Sequence, residues 1–289
     1  NSALIWNEIT PFDEIPLLIN PNSGWIVSAN QDPFRASSVK DNLKRSDFSK
    51  TLGIETKMTN RAYRVIEIFD NDKKFTEQDL LDAKFDNEYS KESRSIKYLQ
   101  NVLAQEYEDQ EFQEAQAVLN AWDLKTDNNN RSAALGVCIL SEEWRAFMNR
   151  IDAPSSKEMF KKCIDELNDA FGRVDPLWSE VNMLIRGDLS LPIQGGPDAL
   201  RAVYGRPQDD GILKAVAGDG LVVSLSWDSD GNQESQSIHQ YGSATQDSSS
   251  KHYDDQAQLF VDEKMKPTFF DKLELKKNTE SVITVPFKN

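Results

Sequence analysis

"NPNSGWIVSAN", residues Asn20–Asn30, is the stretch on which the reading of this chain turns. It lies inside an irregular segment, Pro11 to Pro33, rich in Pro and Asn, with one β-like run, Trp25-Ile26-Val27, that can enter a sheet core. The stretch closes on "ANQDP", where Asn30 suits a strand-end turn with its side chain capping local backbone. Pattern alone asks for nothing more than that turn.

Around it lies a chain of 289 residues, long enough to bury a sizeable core as one large domain or two ordinary ones. Acidic residues outnumber basic ones, 48 to 33, and the resulting charge of −15 argues against nucleic acid as a partner, because phosphate binding needs cationic neutralisation. Six Trp and 9% aromatic residues supply a packed core, which excludes disorder throughout. No apolar run approaches the roughly 18 residues of a membrane span, and no basic region followed by a hydrophobic stretch opens the chain. Cys138 and Cys163 lack metal-type spacing; an isolated pair of this kind reads as two buried thiols ahead of one disulfide.

From Thr59 the apolar spacing becomes helical. Tyr63, Ile66, Ile68 and Phe69 form one stripe, with Thr59 or Asn60 as N-cap, and "TEQD" at Thr76 opens a second helix. Further stripes are Ile96, Leu99, Val102 and Leu103, then Phe112, Ala115, Val118, Leu119 and Trp122. After the polar run Lys125–Arg131 come Leu135, Ile139, Trp144 and Phe147, and then Phe160, Ile164, Leu167 and Phe171 behind a cap at Ser155 or Ser156. These stripes read as core.

After Leu189 the period falls to two. Leu221, Val223, Leu225 and Trp227 alternate ahead of a "DSDGN" turn, and Leu273 with Leu275, "KKNTES" and Ser281–Pro286 read as a closing pair of strands. "QGGPDALRA", Gln194–Ala202, predicts a tight turn and a helix from Pro197; it lacks the Lys-Ser/Thr pair of a phosphate loop. The expected fold class is α+β: a β-rich segment over 1–58, a helical region over 59–186 and a β-rich segment over 187–289, with more helix than strand.

Three pieces then fall into place together. "PFDEIPLLINPNSGWIVSANQDPF" (Pro11–Phe34), "LNAWDLKTDNNNRSAAL" (Leu119–Leu135) and "YGSATQDSSSKHYDDQAQLF" (Tyr241–Phe260) resemble, in order and spacing, segments of the penicillin acylase family of N-terminal-nucleophile hydrolases. The likeness is to its cephalosporin, aculeacin and acyl-homoserine-lactone acylase branch, in the C-terminal portion of the β chain, and runs from about Ile9 onward. Ser28, Asn130, Ser132 and Ser250 stand where the family has Asn, Ser, Gly and Pro. The resemblance implies an αββα sandwich with a large helical insertion, hydrolysis of N-acyl amides, and a periplasmic or secreted protein without cofactor. It also implies roles in antibiotic chemistry or quorum quenching.

By the same resemblance Asn30 is the catalytic Asn whose amide donates to the oxyanion, and Arg61 is the Arg that orients it, with Arg64 as the alternative position. Trp25 and Phe34 are the expected substrate-binding aromatics. The nucleophile, a Ser, Thr or Cys with its own α-amino group as base, is expected on the N-terminal part of the same precursor, so this chain reads as the C-terminal piece of an acylase. The rival class is a pseudoenzyme or binding module that holds an acyl ligand or partner without turnover.

Other chemistries fare worse on the residues. Ser2 would become a terminal nucleophile only after removal of Asn1, and no strand-forming stretch follows it. His252 beside Asp254 and Asp255 could suggest a triad or a metal cluster, but adjacent loop residues do not converge on one ion, and a His fixed by its neighbours is the simpler reading. "DSDGN" carries its Gly at the fourth position rather than the sixth of a calcium loop. No metal site is expected.

Overall fold

The decisive stretch lies in an irregular segment ahead of the helices, and its backbone is tied mainly to the loop that follows it, through Ala36, Ser37 and Asp41. The computed structural model describes residues 9–71, 73–284 and 286, so Ser2 and Val285 lie outside the described residues. Among the described residues, short 3-10 turns over Phe12–Glu14, Pro33–Arg35, Arg45–Asp47 and Lys50–Leu52 precede seven α-helices: α1 (Asn60–Phe69), α2 (Glu77–Lys84), α3 (Arg94–Leu103), α4 (Gln110–Asn120), α5 (Ala133–Asn149), α6 (Ser156–Phe171) and α7 (Trp178–Val181). Strands β1 (Asn182–Arg186), β2 (Leu189–Pro192), β3 (Val203–Pro207), β4 (Leu213–Gly218), β5 (Leu221–Trp227) and β6 (Gln233–His239) follow. Then come α8 (Ala257–Val261), β7 (Lys266–Pro267) and α9 (Lys272–Lys277). Helix exceeds strand, 36% to 14%, and the α+β expectation stands.

The chain forms two units, Asn1–Ile185 with Pro192–Gly218 and Arg186–Leu191 with Asp219–Asn289. In the first, α3 to α6 enclose Ile96, Leu99, Leu119, Leu135, Ile139, Phe160 and Ile164, as the helical spacing predicts. Helix α5 is buried along most of its length, and its start is capped by Asn130, whose Oδ1 accepts from the N–H of Ser132 and of Ala133, both at 2.9 Å. The departure from Ser to Asn at that position thus gives a longer side chain that also donates to Asp123 at 2.8 Å. Strand β1 runs parallel to β4, and β3 antiparallel to it. In the second unit β5, β6 and β7 form an antiparallel sheet in that order.

Several local expectations need correction. Trp25-Ile26-Val27 is extended but forms no strand, and no strand occurs among residues 9–58. The Val27 N–H goes to the Ala36 carbonyl across a short loop, so no ladder can propagate. Thr59 caps α1 as read, yet the buried face is Asn60, Ala62, Val65 and Phe69, while Tyr63, Ile66 and Ile68 stay half-buried. Residues 197–200 are a turn, not a helix, because Gly195 (φ 101°) and Asp198 (φ 59°) both adopt left-handed backbone. Leu273 and Leu275 belong to α9, whose first amides are capped by Asp271, and residues 281–284 carry no regular element.

Cys138 and Cys163 are joined in a disulfide, against the reading as free thiols. Helices α5 and α6 pack side by side and bring the two Cα atoms to 6.0 Å, within bridging reach. In β5 the strand is where the alternation puts it, but the larger side chains face outward: Val222 and Ser224 are buried, and Leu221, Val223, Leu225 and Trp227 are exposed.

Candidate active site

The N-terminal turn of α1 organises the site. Thr59 Oγ1 accepts from the Ala62 N–H at 3.1 Å and donates to the Ala29 carbonyl at 2.8 Å, which pins the residue before Asn30 against the helix start. Asn60, also buried, donates from Nδ2 to the Asp198 carbonyl at 2.9 Å and accepts from the Ser90 N–H at 2.8 Å. Arg61 follows in the first turn, where a cation faces the positive end of the helix dipole and needs an anion nearby. Asp198 supplies it, 3.2 Å from Arg61 Nε.

Arg61 Nη2 donates to Asn30 Oδ1 at 2.9 Å. A guanidinium has only donors, so the atom it faces must be the amide oxygen, and this fixes which way the Asn30 amide points. Asn30 Nδ2 makes no hydrogen bond among the described residues, and the side chain is exposed. Its φ of 64° lies in the left-handed region that Asn tolerates better than most residues. The local caps of this turn come from its neighbours instead: Gln31 Oε1 accepts from the Ala29 N–H at 2.6 Å, and Asp32 Oδ1 from the Phe34 N–H at 3.0 Å. Asn30 is therefore released from the capping duty that its sequence pattern suggests.

Arg64 is engaged elsewhere, with Asp86 at 2.8 Å, Glu67 at 2.8 Å and Glu88 at 3.3 Å. Between the two candidate arginines, the geometry joins Arg61 to Asn30. Phe34 turns inward to 8% exposure, its ring 5.7 Å from that of Phe48, which leaves little of it for a ligand. Trp25 is partly exposed, 6.1 Å from the Phe69 ring. Asp198 escaped the sequence reading, since a Pro-Asp after two glycines signals a turn and nothing marks a partner 137 residues away. Burial pushes its carboxyl above the ordinary range, opposed by the Asn60 N–H and Arg61.

The other two quoted segments are scaffolding. Trp122 Nε1 donates to the Lys125 carbonyl at 2.7 Å, and Thr126 bonds the Asn87 carbonyl through both its amide and its hydroxyl. In the second unit the Arg186 guanidinium lies 4.4 Å from the Tyr241 ring and 4.1 Å from that of Tyr253, and donates to the Thr245 carbonyl at 2.6 Å. His252 Nδ1 pairs with Asp255 at 2.7 Å, a loop histidine held by its neighbours. The one set of metal-type ligand atoms found among the described residues is Cys138, Cys163 and Glu166, and its two sulfurs are spent on the disulfide.

The penicillin amidase family profile matches residues 1–277, and the chain belongs to that family. Among solved structures it is similar to a thermostable penicillin G acylase from Alcaligenes faecalis, with a TM-score of 0.52 at 14% sequence identity. That match covers 99% of this chain and 61% of the acylase chain, and it identifies the fold as that of the penicillin acylases. No helix among the described residues is long and apolar enough to cross a membrane.

Proposed function

We propose that this chain supplies the oxyanion-stabilising part of an N-acyl amide hydrolase whose Ser, Thr or Cys nucleophile stands at the start of a segment outside it. That nucleophile attacks the amide carbonyl, its own α-amino group takes the proton, and Asn30 Nδ2 donates to the oxygen as negative charge builds on it. The observation that carries the reading is the Arg61–Asn30 hydrogen bond, which occupies the amide oxygen and presents the NH2 group outward. Donors fixed before the charge develops need no reorganisation during the reaction. Trp25, partly exposed, is offered as an acyl contact, and Phe34, buried against Phe48, as a residue that shapes the same loop.

The substrate class is a linear N-acyl amide: an acyl-homoserine lactone, a β-lactam side-chain amide or a lipopeptide acyl chain. The partner is the N-terminal part of the same precursor, and the setting periplasmic or secreted. In the complete enzyme, Asn30→Ala is expected to lower kcat by about 10²- to 10³-fold, the cost of one oxyanion donor. Asn30→Gly is the control, as it also removes the donor but accepts a φ of 64° without strain. Undiminished turnover in both variants would sink the reading. Intact-mass and N-terminal analysis of every polypeptide in the natural protein separates it from the binding-module alternative, which expects no companion chain beginning with a nucleophile.

A further inference from the structure

Three charged or polar groups are wired in series from the interior to the surface: Asp198, with 4% of its side chain exposed, Arg61, with 22%, and Asn30, which is open to solvent. We propose that Asp198 is the positioning residue of this series, holding the Arg61 guanidinium in the orientation that grips Asn30 Oδ1 and keeps Asn30 Nδ2 turned outward. The inference rests on the reading of Asn30 as oxyanion donor.

The guanidinium is planar, so fixing Nε against Asp198 Oδ1 at 3.2 Å also fixes the direction in which Nη2 reaches Asn30. Asp198 is itself rigidly set. Its Oδ2 accepts from the Asn60 N–H at 2.8 Å, its carbonyl from Asn60 Nδ2 at 2.9 Å, and its own N–H reaches Tyr204 Oη at 3.4 Å. Tyr89, fully buried nearby, donates to the adjoining Pro197 carbonyl at 2.7 Å. The left-handed φ of 59° is a conformation that few residues besides Gly, Asn and Asp accept, and here it aims a carboxylate at the first turn of α1. Anchoring the loop to α1 would need the Asn60 contacts alone; the bond to Arg61 is the surplus that points towards Asn30.

The test is a cycle in the complete enzyme, assayed on a panel of chromogenic N-acyl anilides of differing acyl length. Asp198→Asn keeps volume and backbone preference and removes the charge. Its expected effect is a fall in kcat of about 10- to 100-fold, with KM changed by less than about three-fold. That loss should vanish in an Asn30→Gly background, because a group acting through Asn30 then has nothing left to orient. An unchanged kcat, or a loss repeated in full in the Asn30→Gly background, overturns the role of Asp198 and leaves that of Asn30 standing. Full turnover in Asn30→Gly alone overturns the underlying reading as well. Should Asp198→Asn fail to fold, Asp198→Gly, which suits the same φ, carries the same cycle.

Discussion

Gly136 sits in α5 with the Trp122 ring directly above it: a Cβ there would lie 2.3 Å from Trp122 Cζ3. The ring cannot swing away cheaply, because its Nε1 is tied to the Lys125 carbonyl. Gly136→Ala should therefore destabilise the fold by about 1–3 kcal/mol despite its better helix propensity, and a urea midpoint equal to wild type would refute this. His252 makes a prediction of a different kind. Its hydrogen bond to Asp255, and secondarily that to Glu280, raise its pKa above the ordinary 6.5. The folded state thus holds the proton more tightly, so this contribution to stability is complete below the unfolded value and disappears as pH rises through the folded one. An NMR titration of the imidazole should place its midpoint above 6.5, and Asp255→Asn should lower it; a midpoint indifferent to that change would rule out the pairing.

At the scale of elements, the disulfide ties α5 to α6 across a separation of 25 residues. Closing a loop of that length restricts the unfolded chain by about 3 kcal/mol in the chain-entropy account. Replacing both cysteines by Ser should lower the melting temperature measurably, as should reduction of the native chain; no shift in either would deny the bond a stabilising role. Helix positions were readable because their stripes and caps are local: Thr59, Thr76, Ser93 and Asp109 all accept from their own first turns. Facing was less readable. On α1 the deeply buried Asn60 is inside because Asp198 and Ser90 meet its polar atoms, and hydrophobicity carries no trace of that. The C-terminal leucines alternate like a strand yet lie in α9, where Asp271 caps a helix too short for periodicity to announce.

At the scale of the molecule, the outward row of Leu221, Val223, Leu225 and Trp227, between 41% and 61% exposed, is an apolar sheet face. Trp227, 61% exposed, should contribute a solvent-exposed indole emission that Trp227→Phe removes as the red edge of the chain's tryptophan spectrum; a spectrum unchanged by that substitution would show that the ring is covered. Within the sequence alone, the local patterns determined α1 to α6, the turn at "DSDGN" and the α+β class, and three ordered motifs marked the family; Asn30 lies in the first of them, while Arg61 and Arg64 stand in the sequence as alternatives. Those features depend on neighbours a few residues apart or on whole segments in order. Which cysteines pair, which face of β5 is buried, and that Asp198 stands behind Arg61 were decided only by tertiary structure. Each depends on groups brought together from distant positions, and a buried carboxylate 137 residues from its partner leaves no periodic or local signal in the chain.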